Sequence, residues 1–244
     1  MPDSAQRVIA IIPARLASTR LPGKVLRPIA GVPMLGWVYR AARACPQLDQ
    51  VLIATDSEEV AAYARSEGWP SYMTSPELPS GTDRVKAVAD LVDADIYVNI
   101  QGDEPLLRPD HIDALLRPFA LPEADVTTLS TPCQPHEIDD PNAVKVVSAS
   151  NGRALYFSRA TIPFNRGVAV EPRKHLGLYA YRKAALRRFA SLPPSPLEMA
   201  ERLEQLRMLE NGMNVYVEHT TLLTIGVDTE ADLQAAERWL QAGR

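Results

Sequence analysis

Three short runs in the first half of the chain are apolar without alternation: Arg7-Val8-Ile9-Ala10-Ile11-Ile12, Val51-Leu52-Ile53-Ala54 and Ile96-Tyr97-Val98-Asn99-Ile100. A strand with one wet face alternates apolar and polar positions. An unbroken apolar run suits a parallel strand covered on both faces. Between these runs the pattern turns helical, over residues 34–44, 58–67 and 83–92. The second helix has Asp56 as its predicted N-cap, with Glu59 three residues on at capping-box spacing. Strand–helix–strand at this spacing predicts right-handed βαβ units and a doubly wound, mostly parallel α/β sheet. Ligands of such sheets bind beyond the carboxyl ends of the strands. The loops after Ile12, Ala54 and Ile100 are therefore expected on one rim.

The second half reads differently. Residues 125–131, 143–149, 175–181 and 215–218 have strand character, and 154–172 carries few helical signals. The expectation is one domain over residues 1–244, with a strand and loop excursion at about 154–182 that serves as lid or dimer contact. Ser195-Pro196-Leu197-Glu198 opens a helix, with Ser as N-cap, Pro at the first position and Glu at the third. Leu203, Leu206 and Leu209 continue its apolar stripe, and Asn211-Gly212 ends it. A last amphipathic helix follows Gly226-Val227-Asp228, over 229–240.

Composition narrows the class. A chain of 244 residues, 46% apolar, is long enough for a large α/β core. No apolar stretch approaches the roughly 20 residues of a membrane helix, and no signal-peptide pattern opens the sequence. Cys45 and Cys133 fit neither zinc nor disulfide spacing, which points to a reducing cytoplasm. A net charge of −4 disfavours nucleic acid as the partner. Positive charge is instead local: Arg7, Arg15, Arg20 and Lys24 face only Asp3 in the first 24 residues.

Three of those cations follow directly from the first predicted strand. Backbone N–H groups and guanidinium groups in such a loop can cradle phosphate oxygens; a solvated basic turn would look the same. A Walker loop is excluded, because Ser18 stands where its first glycine belongs and Val25 where its Ser or Thr belongs. No G-x-G-x-x-G follows the strand. Asp103, in Gln101-Gly102-Asp103-Glu104-Pro105, sits where a carboxylate can hold Mg²⁺ beside a triphosphate. Asp228 is a second carboxylate, though either it or Thr229 could simply cap the last helix. Ser80-Gly81-Thr82-Asp83-Arg84 could cap the third helix, or bring backbone and Arg84 to a nucleotide. Arg159 and His175 say little alone. Glu204 and Gln205 lie off the leucine stripe of the late helix.

Taken together, these segments resemble the 3-deoxy-D-manno-octulosonate (Kdo) cytidylyltransferases over nearly the whole chain. The carrying blocks are Pro13-Ala14-Arg15 with Ser18-Thr19-Arg20-Leu21-Pro22-Gly23-Lys24, then Ser80 to Arg84, Gln101 to Pro105 and Pro141-Asn142-Ala143-Val144-Lys145. Ala154-Leu155-Tyr156-Phe157-Ser158-Arg159, His175-Leu176-Gly177-Leu178-Tyr179, Ser195 to Glu198, Glu204-Gln205-Leu206-Arg207 and Gly226 to Thr229 complete them. Two departures are Leu16, where an aromatic is frequent, and a short stretch over 165–174.

The resemblance implies transfer of CMP from CTP to the anomeric hydroxyl of Kdo, with Mg²⁺ as cofactor, in a cytoplasmic homodimer. It implies that Arg15 and Lys24 hold the triphosphate with Arg20 assisting, and that Ser80, Gly81 and Gln101 help recognise cytidine, with Arg84 near them. Asp103 and Asp228 would hold the metal, making Arg15, Lys24 and Asp103 the catalytic set. Arg159, His175, Tyr179, Glu204 and Gln205 would line the sugar site, with Arg159 suited to the sugar carboxylate. The nearest alternative is a cytidylyltransferase for another acidic sugar, 8-amino-Kdo or a sialic acid. A glycosyltransferase would prefer Asp-x-Asp after a central strand, which Asp103-Glu104-Pro105 does not supply. A non-catalytic nucleotide sensor would tolerate loss of Asp103.

Overall fold

A computed structural model describes residues 6–18 and 20–242; Asp3 and Thr19 lie outside the described residues. In chain order the elements are β1 (Val8–Pro13), β2 (Pro28–Ile29), β3 (Val32–Pro33), α1 (Met34–Arg43), β4 (Gln50–Thr55), α2 (Glu58–Ser66), β5 (Ser71–Met73), α3 (Gly81–Ala89), β6 (Ile96–Asn99) and α4 (Pro109–Leu116). Then come β7 (Val126–Pro132), β8 (Lys145–Ser148), β9 (Ala154–Ser158), β10 (Arg173–Arg182), α5 (Lys183–Ser191), α6 (Pro196–Glu201), α7 (Gln205–Glu210), β11 (Val215–His219) and α8 (Glu230–Gln241). Among the described residues no helix is long and apolar enough to cross a membrane. The chain divides into two compact units, one of residues 1–113 with 223–244 and one of 114–222.

The first unit carries the expected parallel sheet. β1 pairs with β4 and with β6, and β4 pairs with β5, all parallel. Every residue of β1 is buried, as an apolar run covered on both faces requires. The chain runs from β1 outward to β4 and β5, then returns to place β6 on the other side of β1. The strand order therefore reverses between β1 and β6. Loops that leave two neighbouring strands in opposite directions open a crevice at their carboxyl ends. The basic loop after β1 and the Asp103 loop after β6 flank that crevice.

Capping differs from the spacing argument in one helix. α2 is capped by Ser57, whose side chain accepts the Val60 N–H at 3.4 Å. Asp56 is committed elsewhere: its carboxylate lies 2.8 Å from the Arg84 guanidinium. Arg84 is 0% exposed, and a buried guanidinium needs a counter-charge more than a helix needs one particular cap. Burial lowers the Arg84 pKa, with Asp56 opposing the shift. At the last helix the ambiguity closes on Thr229, which accepts the Asp232 N–H at 3.2 Å while the Asp232 carboxylate accepts the Thr229 N–H at 2.8 Å. Asp228 does not cap α8 with its side chain.

The second unit is mainly antiparallel. β10 pairs antiparallel with β7 and β8, β8 pairs antiparallel with β9, and β11 joins β7 in parallel. Within 154–182, β9 and the ten-residue β10 are strands of this sheet, joined by a loop. The late helix is also two helices. Arg202 takes the left-handed conformation at φ 57°, which closes α6 and lets α7 restart after Glu204. The leucine stripe is continuous in sequence because Leu203 and Leu206 both point into the core, although the backbone between them is not one helix.

Asp56→Ala would leave the Arg84 charge uncompensated in the core. The expected loss is about 3–5 kcal/mol, read as a lower urea midpoint with unchanged slope.

Candidate functional site

The loop after β1 is shaped before any ligand is considered. Gly23 adopts φ 66° and its N–H donates to the Leu16 carbonyl at 3.2 Å, folding the loop back on itself. Leu21 is buried in an apolar cluster with Ile29, Met34, Val227, Leu233 and Ala236. That cluster joins the loop to the segment that precedes α8. Lys24 and Asp228 each lie close behind one of its members, Leu21 and Val227, so packing sets their separation.

The loop after β6 approaches equally closely. A Cβ on Gly102 would stand 3.0 Å from the Pro13 carbonyl oxygen, so a side chain there would push Asp103 away. The Val227 N–H donates to the Asp103 carbonyl at 2.9 Å. Three segments distant in sequence are thereby tied at one end of the sheet.

Their charges meet. Lys24 Nζ donates to Asp103 Oδ2 at 2.5 Å, to Asp228 Oδ1 at 2.9 Å and to the Val227 carbonyl at 3.3 Å. Arg20 pairs with the other Asp228 oxygen at 2.8 Å. Burial alone would lower the Lys24 pKa; Asp103 and Asp228 outweigh it, and the net shift is upward. Arg15 donates to the carbonyl of Leu78 and, at 3.5 Å, to that of Ser80, which fixes it beside the start of α3. Ser80 caps α3, accepting the Asp83 N–H at 3.1 Å and donating to the Asp83 carboxylate at 2.8 Å. Its hydroxyl is thus spent locally, while its backbone opens the helix.

A cavity of about 390 Å³ is lined by Arg15, Arg20, Lys24, Ser80, Gly81, Gln101, Asp103 and Asp228. These are the sequence-derived nucleotide and metal residues except Arg84, which is turned toward Asp56 and Thr74. Two larger hollows, of about 830 and 800 Å³, lie beside Tyr39 and Trp69 and beside Leu16 and Asp56. Neither joins cations to a pair of carboxylates at the strand-order reversal, and that chemistry outweighs size. No group of three or more His, Cys, Asp or Glu able to hold a metal occurs among the described residues. Asp103 and Asp228 do converge on one cation, the Lys24 ammonium. Two carboxylates completed by phosphate oxygens and water make an ordinary Mg²⁺ donor set, so these residues fit that ion.

The second unit gathers the remaining candidates. The pairing of β10 with β7 slips between Leu176 and Tyr179. In a regular strand His175 and Tyr179 would stand about 13 Å apart; here their ring centroids are 5.3 Å apart. Thr128 Oγ1 lies 2.8 Å from the Leu178 carbonyl, 3.2 Å from that of Leu176 and 2.9 Å from His175 Nε2. One hydroxyl proton cannot serve both carbonyls and the ring. The set is satisfied when Thr128 donates to a carbonyl and a neutral His175 donates from Nε2. Burial pushes His175 down to about 3. Tyr179 is raised by burial, then by Tyr181 and the charge of Glu204.

Arg159 is a brace as well as a cation. Its Nε donates to the Glu201 carbonyl at 2.7 Å and its Nη1 to that of Pro141 at 2.9 Å. Sequence reasoning missed Glu201. Its carboxylate accepts from Ser158 Oγ at 2.6 Å and from the Arg159 N–H at 2.9 Å, joining β9 to the end of α6. Gln205 is buried at the start of α7. Both cysteines are buried free thiols shifted upward by burial, Cys45 to about 11, so neither is primed as a nucleophile.

A profile of the family described as cytidylyltransferase matches residues 9–215. The chain is 65% identical over 239 residues to a 3-deoxy-manno-octulosonate cytidylyltransferase of Acidobacterium capsulatum, covering 97% of this chain and 98% of that one. It is 52% identical to the enzyme of the same name from Koribacter versatilis, covering 99% and 96%. Among solved structures it is similar to a CMP:2-keto-3-deoxy-manno-octonic acid synthetase complexed with CTP, at 39% identity and a TM-score of 0.94, over 98% of this chain and 100% of that one.

The His175 shift carries a sign. Its pKa falls from 6.5 unfolded to about 3 folded, so between these values the unfolded chain binds the extra proton. The contribution is complete above pH 6.5 and is lost as pH falls toward 3. The His175 ring resonances should not titrate between pH 5 and 8, and His175→Gln should flatten the acid loss of stability. A ring that titrates near 6.5 would contradict the arrangement with Thr128.

Proposed function

The chain belongs to the 3-deoxy-manno-octulosonate cytidylyltransferases, and from that premise we propose how its residues move CMP from CTP to Kdo. The anomeric hydroxyl of the sugar attacks the α-phosphorus in line. The new oxygen–phosphorus bond forms as the bond to the β-phosphate bridge breaks; pyrophosphate leaves, and the hydroxyl proton passes to water or to the departing pyrophosphate. No enzyme nucleophile takes part. The observation that carries this reading is the gathering of Arg15, Arg20, Lys24, Asp103 and Asp228 around one cavity at the strand-order reversal.

Arg15, with its guanidinium fixed to the carbonyls before α3, holds triphosphate oxygens, and Lys24 and Arg20 neutralise their charge. Gly81 and Gln101 take the cytidine side, while Arg84 supports that wall from within through Asp56. Asp103 and Asp228 would hold Mg²⁺ together with phosphate oxygens, and the ion would supply Lewis-acid stabilisation of charge. Asp103 orients the reacting groups; nothing in its surroundings assigns it the role of general base. In the second unit Arg159 meets the sugar carboxylate, and His175, Tyr179, Glu204 and Gln205 line the sugar site. A neutral His175 suits a hydroxyl-rich ligand: with its Nε2 proton given to Thr128, Nδ1 can accept from a sugar hydroxyl without adding charge.

In this account the enzyme works in the cytoplasm and as a homodimer. Phe164 and Val168, 85% and 91% exposed in the loop between β9 and β10, are apolar side chains that a partner subunit would cover. A two-chain mass by light scattering is the expected result; a monomer at working concentration would remove the dimer from this account.

With CTP, Mg²⁺ and Kdo the protein should release pyrophosphate, and 8-amino-Kdo or a sialic acid should turn over more slowly. Faster turnover of either rival would reassign the sugar. Asp103→Asn should cut kcat by about 10²–10³-fold with the fold retained by circular dichroism. Arg159→Ala should raise the KM for the sugar by about tenfold while leaving that for CTP within about twofold. Equal effects on both substrates would count against a carboxylate contact.

A further inference from the structure

The Lys24 ammonium has three protons, and the structure places an acceptor at each: Asp103 Oδ2, Asp228 Oδ1 and the Val227 carbonyl, at 2.5, 2.9 and 3.3 Å. None is left for a phosphate. Lys24 therefore cannot hold the carboxylates in this way and serve the triphosphate at once. The same two carboxylates are the ones a divalent cation would use, and the ammonium stands between them.

We propose that Lys24 is a resident placeholder for the metal: it fills the cation position between Asp103 and Asp228 until a triphosphate draws it away. This rests on the metal reading of those two aspartates and adds an order of events to it. Without a cation, two carboxylates packed this closely would repel each other, and Arg20, 63% exposed, offsets only the outer oxygen of Asp228. The lysine holds both in position at the end of the sheet. Its side chain is 14% exposed, so water screens the contact weakly. An incoming triphosphate brings more negative charge than the two aspartates together and competes for the ammonium. As Lys24 swings to the phosphates, the carboxylates are freed at the moment the phosphates can complete the metal's donor set. Metal and nucleotide then enter as one event, and the protein without nucleotide is a poor binder of divalent ions.

The test uses Mn²⁺ as probe and the electron paramagnetic resonance signal of free Mn²⁺ as readout, with no turnover involved. Wild-type protein without nucleotide should bind Mn²⁺ only at about millimolar concentration or above. Lys24→Met should bind at least about tenfold more tightly, a change of about 1.4 kcal/mol, and adding Asp103→Asn to that variant should abolish the gain. Wild-type protein that binds Mn²⁺ well below millimolar without nucleotide, through a site lost in Asp103→Asn, overturns the proposal, and this arm needs no folded Lys24 variant. A folded Lys24→Met that binds no more tightly than wild type also overturns it. Wild-type protein with CTP separates the two levels. If its added Mn²⁺ binding depends on Asp103, the metal reading stands whatever Lys24 does; if it does not, both readings fail together.

Discussion

Two negative carboxylates in a small volume repel each other unless a cation lies between them, and this constraint organises the functional end of the first unit. Asp103 comes from the loop after β6 and Asp228 from the segment before α8, more than 120 residues on. What joins them is Lys24, reaching from the loop after β1. The contacts around the charges are apolar or backbone: Leu21 and Val227 share one cluster, and the Val227 N–H reaches the Asp103 carbonyl. Packing brings the segments together, and electrostatics decides which side chains face one another once they arrive.

A second buried pair works on the same physics to a different end. Arg84 and Asp56 sit one layer behind the cavity wall, where the guanidinium is sealed from water. The two ion clusters separate the roles that a motif compresses into five consecutive letters. Ser80 and Gly81 line the cavity, while Arg84, one turn along α3, turns inward and holds the helix against the segment after β4.

Much of this is legible in the amino-acid sequence. The apolar runs 7–12, 51–54 and 96–100 became parallel strands because period and length are fixed by burial on both faces. The rim of loops followed from topology. The cap of α2 was not legible, because Ser57 and Asp56 are both good caps and only the distant Arg84 decides between them. Nor was the break at Arg202, since the leucine stripe continues across it and a left-handed arginine leaves no mark in composition. Glu201 was missed for a similar reason: a carboxylate late in a helix looks solvated until β9 is brought against it. The antiparallel character of the second unit could not be read from short strands separated by irregular connections.

The slip between Leu176 and Tyr179 has a meaning for how this protein can vary. The closeness of His175 and Tyr179 is written in the number of residues between them as much as in their identities. A chain that kept both side chains but lost one residue of the slip would change the spacing that sets one ring against the other. The length of that segment is therefore as sharp a signature of the site as any residue within it.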